Sequence, residues 1–104
     1  MNDRCTAAER REQILKAAAE LAGTGHYRHV TRKQIADSAD IPPSLVSHYF
    51  GTMVQLRRAL MRYAVKHSHL AIVAQGLASR DAQAMKASPG LQTEAIGSLL
   101  RGDL

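Results

Sequence analysis

Apolar residues recur with a helical period from Ile14 onward. Ile14, Ala18 and Leu21 stand at i, i+4 and i+7, Leu15 and Ala22 widen the stripe, and Arg10, Arg11, Gln13, Lys16 and Glu20 take the other side. Thr6 and Glu9 have the spacing of a capping box, in which each side chain satisfies the other residue's backbone N–H. A first helix therefore begins there, and Gly23-Thr24-Gly25 ends it. Thr31 and Gln34 repeat the box ahead of Ile35, Ala36 and Ala39, which predicts a second helix of about two turns. Asp40-Ile41-Pro42-Pro43 interrupts it. Proline pushes the residue before it out of the α conformation, yet fits the first turn of a new helix. A third helix is thus predicted from Pro43 to Tyr49, with Leu45, Val46 and Tyr49 at its apolar positions. Gly51-Thr52 breaks the chain again. Thr52 caps a long fourth helix carrying Met53, Leu56, Leu60, Tyr63 and Ala64, expected to run to about Leu77. Ser79 opens one more short helix through Ala87, Ser88-Pro89-Gly90 stops it, and Leu91, Ala95, Ile96, Leu99 and Leu100 mark a weak last helix. No strand pattern and no internal repeat occurs, so the expected class is all-α, a helical bundle. Its expected core is Ile14, Leu21, Ile35, Ala36, Ile41, Val46, Phe50, Leu56 and Leu60.

A length of 104 residues suits a single domain. The formal net charge is +5, and it falls entirely within residues 1–69, because Arg80, Lys86 and Arg101 cancel Asp81, Glu94 and Asp103. All histidines and all aromatic residues also precede residue 70. The chain reads as a basic front, residues 1–69, and a neutral, Ala-rich tail, residues 70–104. Excess positive charge favours polyanionic partners. The single cysteine, Cys5, excludes an intrachain disulfide and has no neighbouring partner that would activate its thiol. The first residues are too interrupted by charge for a secretory signal, and the uncharged stretch from His67 to Ser79 is too short to span a bilayer. A soluble, cytoplasmic protein without membrane contact is expected.

Two short helices joined by a tight turn, the second rich in small polar residues, suggest a helix-turn-helix. The run from Val30 reads V-T-R-K-Q-I-A-D-S-A-D-I-P-P-S-L-V-S-H-Y-F, followed by G-T-M-V-Q-L. It resembles the TetR-family pattern, typically T-x-x-x-I-A-x-x-A-G-V-S-x-x-x-[IL]-Y-x-[HY]-F, then a short break and a Leu. The matching positions are Thr31, Ile35, Ala36, Ala39, Ile41, Val46, Tyr49, Phe50 and Leu56. The first helix adds I-L-x-A-A-x-x-L over Ile14 to Leu21, so the resemblance covers about residues 8–66. Four positions depart from it. Asp40 stands where the family usually has the turn Gly, though Asp tolerates the left-handed conformation better than most residues. Pro42 replaces a capping Ser, Ser47 a Tyr that commonly contacts DNA, and Met53 a Lys that often binds the backbone.

The resemblance implies a sequence-specific DNA-binding regulator with a helical bundle of the homeodomain-like, TetR amino-terminal type. It further implies a repressor that binds a palindromic operator as a homodimer. Ser44, Ser47 and His48 share one turn of the third helix and are expected to face the major groove, where hydroxyl and imidazole groups reach base edges. Pro43 and Leu45 flank that surface, and Leu45 is placed to touch a thymine methyl. Tyr49 resembles the family's phosphate-contacting aromatic, and a core role for it is equally credible. Thr31, Arg32 and Lys33 open the second helix, where a hydroxyl, two cations and free backbone N–H groups bind phosphate. Family members usually carry a much longer second domain that binds an inducer. Here two or three short helices follow, too few to wall a drug-sized cavity and still pack a core. No small-molecule inducer is expected. The tail's Leu70, Ile72, Val73, Leu77, Leu91, Ile96, Leu99 and Leu100 exceed what a small monomer covers, and they form the expected dimerisation surface.

The alternative is a protein-interaction module on the same scaffold, since the third helix exposes no charge. Catalysis is not expected, because no paired carboxylates, phosphate-cradling glycine loop or nucleophile–base pair appears. Neither a cofactor nor a metal is expected. His67 and His69 are two residues apart late in the fourth helix and do not share a face there. His26 and His29 flank Tyr27 and Arg28 in the first loop, a basic cluster that either approaches a DNA backbone or is a plain loop.

Overall fold

The computed structural model describes residues 6–103. Cys5 lies outside the described residues. The order is α1 (Ala7–Thr24), α2 (Arg32–Ala39), α3 (Pro43–Phe50), α4 (Met53–Lys66), α5 (Leu70–Ala78), a single 3-10 turn (Ala84–Lys86) and α6 (Pro89–Arg101). The described residues contain no strand. Thr6, Thr31 and Thr52 each form a full capping box with Glu9, Gln34 and Gln55. The Thr6 backbone and side-chain hydrogen bonds hold the Glu9 carboxyl below its ordinary pKa. Pro42 offers α3 no side-chain cap, and Pro43 takes the first helical position, where its missing N–H is harmless.

Three helices end in the same way, on a residue other than glycine. After α2, Asp40 adopts a left-handed conformation (φ 57°, ψ 49°). Its N–H donates to the Asp37 carbonyl, and the next N–H, Ile41, reaches back to Ala36 at 3.0 Å. This pair of bonds is the Schellman motif. Ser68 repeats it at φ 54°, with Ser68 N–H on Val65 O and His69 N–H on Ala64 O. Arg80 does so at φ 58°, with Arg80 N–H on Leu77 O and Asp81 N–H on Gly76 O. The expected long fourth helix is therefore two helices. α4 stops at Lys66 because the Ser68 turn satisfies its last carbonyls, and α5 starts at Leu70 in a new direction. The expected helix from Ser79 to Ala87 is also absent. Asp81 Oδ1 accepts from Gln83 and Ala84 N–H at 2.8 and 3.2 Å, and these local bonds leave only the 3-10 turn.

The core gathers Ile14, Ala18 and Ala22 of α1, Ile35 and Ala36 of α2, Val46 of α3, and Leu56, Leu60 and Met61 of α4. Leu21 and Ile41 are only half-buried. Ile72 and Val73, expected on an outward surface, are buried at 1% and 0% exposure. They belong to the same core because the turn at Ser68 folds α5 back against α4 and α1. Leu70, Leu77 and Leu91 are half-buried against it. Gln75 ties α5 to the end of α1. Its Nε2 donates to the Ala22 and Gly25 carbonyls at 3.0 and 3.2 Å, and its Oε1 accepts from Tyr27 N–H at 3.0 Å. Tyr27 is itself buried, with its hydroxyl 3.0 Å from Asp81 Oδ2. α6 packs on α5 through the small residues Ala95 and Ser98, which leaves Ile96, Leu99 and Leu100 facing outward.

Candidate nucleic-acid interface

The turn Asp40–Pro42 joins α2 to α3, and the inner faces of both helices are apolar: Ile35, Ala36 and Ala39 on α2, Val46 and Phe50 on α3. Two polar side chains of α1 hold the pair in place. Gln13 Nε2 donates to the Ala39 carbonyl at 3.1 Å, at the end of α2. Arg11 Nη1 donates to the Tyr49 carbonyl at 2.7 Å, and its guanidinium lies 4.4 Å from the centroid of the Phe50 ring. A cation at the C-terminus of α3 also meets the negative end of the helix dipole. Arg11 and Gln13 look like solvated positions in the apolar pattern of α1. Only the packing of α1 across the ends of α2 and α3 reveals their role.

With the inner face fixed, the outer face of α3 follows. Pro43, Ser44 and His48 are exposed, while Leu45, Ser47 and Tyr49 are half-buried. Ser44, Ser47 and His48 thus share one face, with His48 edge-on to Tyr49 at 5.0 Å between ring centroids. Tyr49 also packs against the core on its inner side. At the start of α2, the Thr31 hydroxyl oxygen accepts from Gln34 N–H, so capping already uses one of its acceptor sites. Lys33 is exposed but paired with Asp37 at 2.9 Å, an i,i+4 contact that offsets its charge. Arg32 is half-buried, and its Nε is buried without a partner among the described residues.

The histidines fall into two clusters. His26 lies 5.3 Å from His29 between ring centroids and stacks on Tyr27 at 5.1 Å. Burial, then the charges of His29 and Arg28, hold His26 below the ordinary histidine pKa. His67 and His69 lie beyond the end of α4, not within it. The Ser68 turn brings both rings to Tyr63, at 4.4 and 5.6 Å. Burial, and next the neighbouring Glu12, raise the Tyr63 phenol above its ordinary value. Among the described residues no three His, Cys, Asp or Glu side chains are grouped to hold a metal ion.

Two clefts of several hundred cubic ångströms lie away from α3. One, of about 520 Å³, is lined by Tyr27, Arg28, Arg57, Arg58 and Asp81 among others. The other, of about 430 Å³, lies between the end of α1 and α5, beside Leu99. Both volumes reach the range of small-molecule pockets, which the number of helices in the tail did not foreshadow. No helix of the described residues is long and apolar enough to cross a membrane.

Residues 14–60 match the family described as bacterial regulatory proteins, tetR family. No curated protein and no solved structure matches the chain. The matched span runs from Ile14, the first fully buried residue of α1, to Leu60 in the middle of α4, and so contains the whole α2–turn–α3 unit with parts of α1 and α4, while Arg11 and Gln13 lie just before it. Through residues 14–60 the chain carries a helix-turn-helix domain that matches the tetR family of bacterial regulatory proteins.

Proposed function

We propose that the protein is a sequence-specific repressor that reads a palindromic operator as a homodimer, with α3 in the major groove. The outer face of α3 carries this reading: Ser44, Ser47 and His48 present hydroxyl and imidazole groups on one side of a helix whose other side is buried. Such groups donate to or accept from base edges. Pro43 and Leu45 border the face and Tyr49 closes it. Thr31, Arg32 and Lys33 at the start of α2 serve as phosphate contacts that set register. Arg32 is the stronger of the two cations in this role, because Lys33 shares its charge with Asp37.

Dimerisation is assigned to α6. Ile96, Leu99 and Leu100 are 43%, 50% and 81% exposed and fall on one stripe of the helix, an apolar surface of the kind that marks interfaces. Residues 1–69 then carry the DNA contacts, and residues 70–104 carry the contact between protomers while completing the core. Repression without a small-molecule inducer is part of this reading.

Binding to a site selected from random duplexes, compared with a scrambled duplex, tests the assignment. His48→Ala is expected to lower the preference for the selected site by about 5- to 150-fold. Arg32→Ala is expected to weaken both duplexes alike. A preference left intact in His48→Ala would show that α3 does not read bases through this face.

A further inference from the structure

Arg58, Arg62 and Lys66 stand at i, i+4 and i+8 of α4, and all three are exposed. They form a row about 12 Å long at the usual helical rise. Arg58 and Arg62 line a cleft with Arg11, Tyr49 and Phe50, at the C-terminal end of α3. Arg62 and Lys66 line the adjoining cleft with Arg11, Glu12 and Tyr63. The two clefts share Arg11, Ala59 and Arg62, so the cations border one furrow between α1 and α4 that starts where α3 ends.

The row is not explained by folding. Like charges at i,i+4 destabilise a helix. The chain has the remedy at hand elsewhere, since Lys33 on α2 is answered by Asp37 four residues on. No such acid follows on α4. Among the described residues the ion pairs are Lys33–Asp37 and Arg101–Asp103, and neither involves the row. Arg11 is engaged by the Tyr49 carbonyl and the Phe50 ring, but no side-chain hydrogen bond within the described residues engages Arg58, Arg62 or Lys66. Glu12 is the single carboxylate lining either cleft, and it stands beside Tyr63.

A row of one sign, uncompensated and exposed, fits a partner that repeats the opposite sign. Its place narrows the partner. With α3 in the major groove, the far end of the recognition helix meets the phosphate wall of that groove, as it does in homeodomain-type docking. The furrow begins at that end. An acidic protein partner would be expected to bring an apolar anchor pocket among the charges, whereas the cleft at Arg58 and Arg62 is predominantly polar.

We propose that Arg58, Arg62 and Lys66 are a second phosphate-contacting surface, extending the DNA footprint along α4 beyond the helix-turn-helix. The proposal rests on the DNA-binding reading above. It is tested with the full chain carrying Arg58→Gln, Arg62→Gln and Lys66→Gln together. These exposed positions tolerate glutamine, which keeps helix propensity, and circular dichroism verifies the fold. Each phosphate neutralised contributes about 0.9 to the slope of log affinity against log salt. The triple variant is therefore expected to lose about 2.7 per protomer, about 5.4 for the bound dimer, from that slope on both selected and scrambled duplexes, with the ratio between them unchanged. A slope equal to that of the parent protein, in a parent that binds with a His48-dependent preference, overturns this proposal and leaves the DNA reading intact. A parent protein with no salt-dependent duplex binding overturns both.

Discussion

Glycine at position 68 is expected to make this protein more stable, by about 0.5–1 kcal/mol. Ser68 sits at φ 54°, where its N–H and that of His69 close the end of α4 on Val65 and Ala64. An L-residue in the left-handed region costs about 1–2 kcal/mol. Glycine escapes that cost but loses about 0.5–1 kcal/mol through its greater freedom in the unfolded chain. The difference favours glycine. Arg80, at φ 58° and exposed, is subject to the same argument, and Asp40 gains less because Asp tolerates this conformation. For a domain of this size a gain of 0.5–1 kcal/mol raises the melting temperature by roughly 2–8 °C. Urea unfolding of Ser68→Gly and Ser68→Ala decides the matter through the order of the two. If the chain turns at Ser68, glycine is more stable than alanine. If α4 instead ran on to Leu77, as the apolar period alone implies, position 68 would be a helix interior. Alanine would then exceed glycine by about 1 kcal/mol. That order would refute the broken-helix geometry, and with it the burial of Ile72 and Val73.

Two further outcomes follow from the packing. A methyl group at Gly76 would lie 2.6 Å from both Ala84 Cβ and Met61 Cε, so Gly76→Ala is expected to destabilise the fold despite better helix propensity. Overpacking costs about 1–3 kcal/mol against a propensity gain of up to about 1, for a net loss of about 1–2 read from the urea midpoint; an unchanged midpoint would mean that α5 does not press on the 3-10 turn and α4. The second outcome concerns pH. Burial, His29 and Arg28 hold His26 below its ordinary value of 6.5, so the unfolded chain takes up the proton first. Stability from this source is full above about 6.5 and declines as pH falls from there through the folded-state value. His26→Gln is expected to flatten that decline, and an equally steep decline in the variant would count against the His26–His29 cluster.

The features that can be read from the sequence are those closed within one helical turn. Thr6 and Thr31 each announce their helix by a partner three residues on, and both boxes form; Thr52, legible as a cap, adds a third box with Gln55. The outer face of α3 is legible for the same reason: once Val46 and Phe50 are inside, a period of 3.6 residues puts Ser44 and His48 outside. The end of α4 has no such local mark. A Schellman turn built on serine carries no glycine to betray it, and Leu70, Ile72, Val73 and Leu77 continue an apolar pattern across the break. Other contacts bridge long stretches of chain. Gln75 satisfies carbonyls at the end of α1, Tyr27 hides its ring and gives its hydroxyl to Asp81, and Arg11 reaches the end of α3. Polar residues at such positions look like surface, because the groups they satisfy lie on other elements. The basic row on α4 is intermediate: its i,i+4 spacing is visible in the sequence, but only α1 lying beside it turns a row of charges into a furrow leading from α3.

These long-range contacts change how the tail must be understood. Were residues 70–104 only a dimerisation appendage, ending the chain after Lys66 would leave a folded monomer. The structure has Ile72 and Val73 at 1% and 0% exposure in the same core as Ile14 and Leu60, and Gln75 on the last carbonyls of α1. Removing α5 would open that core, and substitutions in α5 would act on DNA binding through stability and not through the dimer. A separate test of the dimer surface must therefore lie on α6, at Ile96, Leu99 or Leu100, where a side chain can change without exposing the interior.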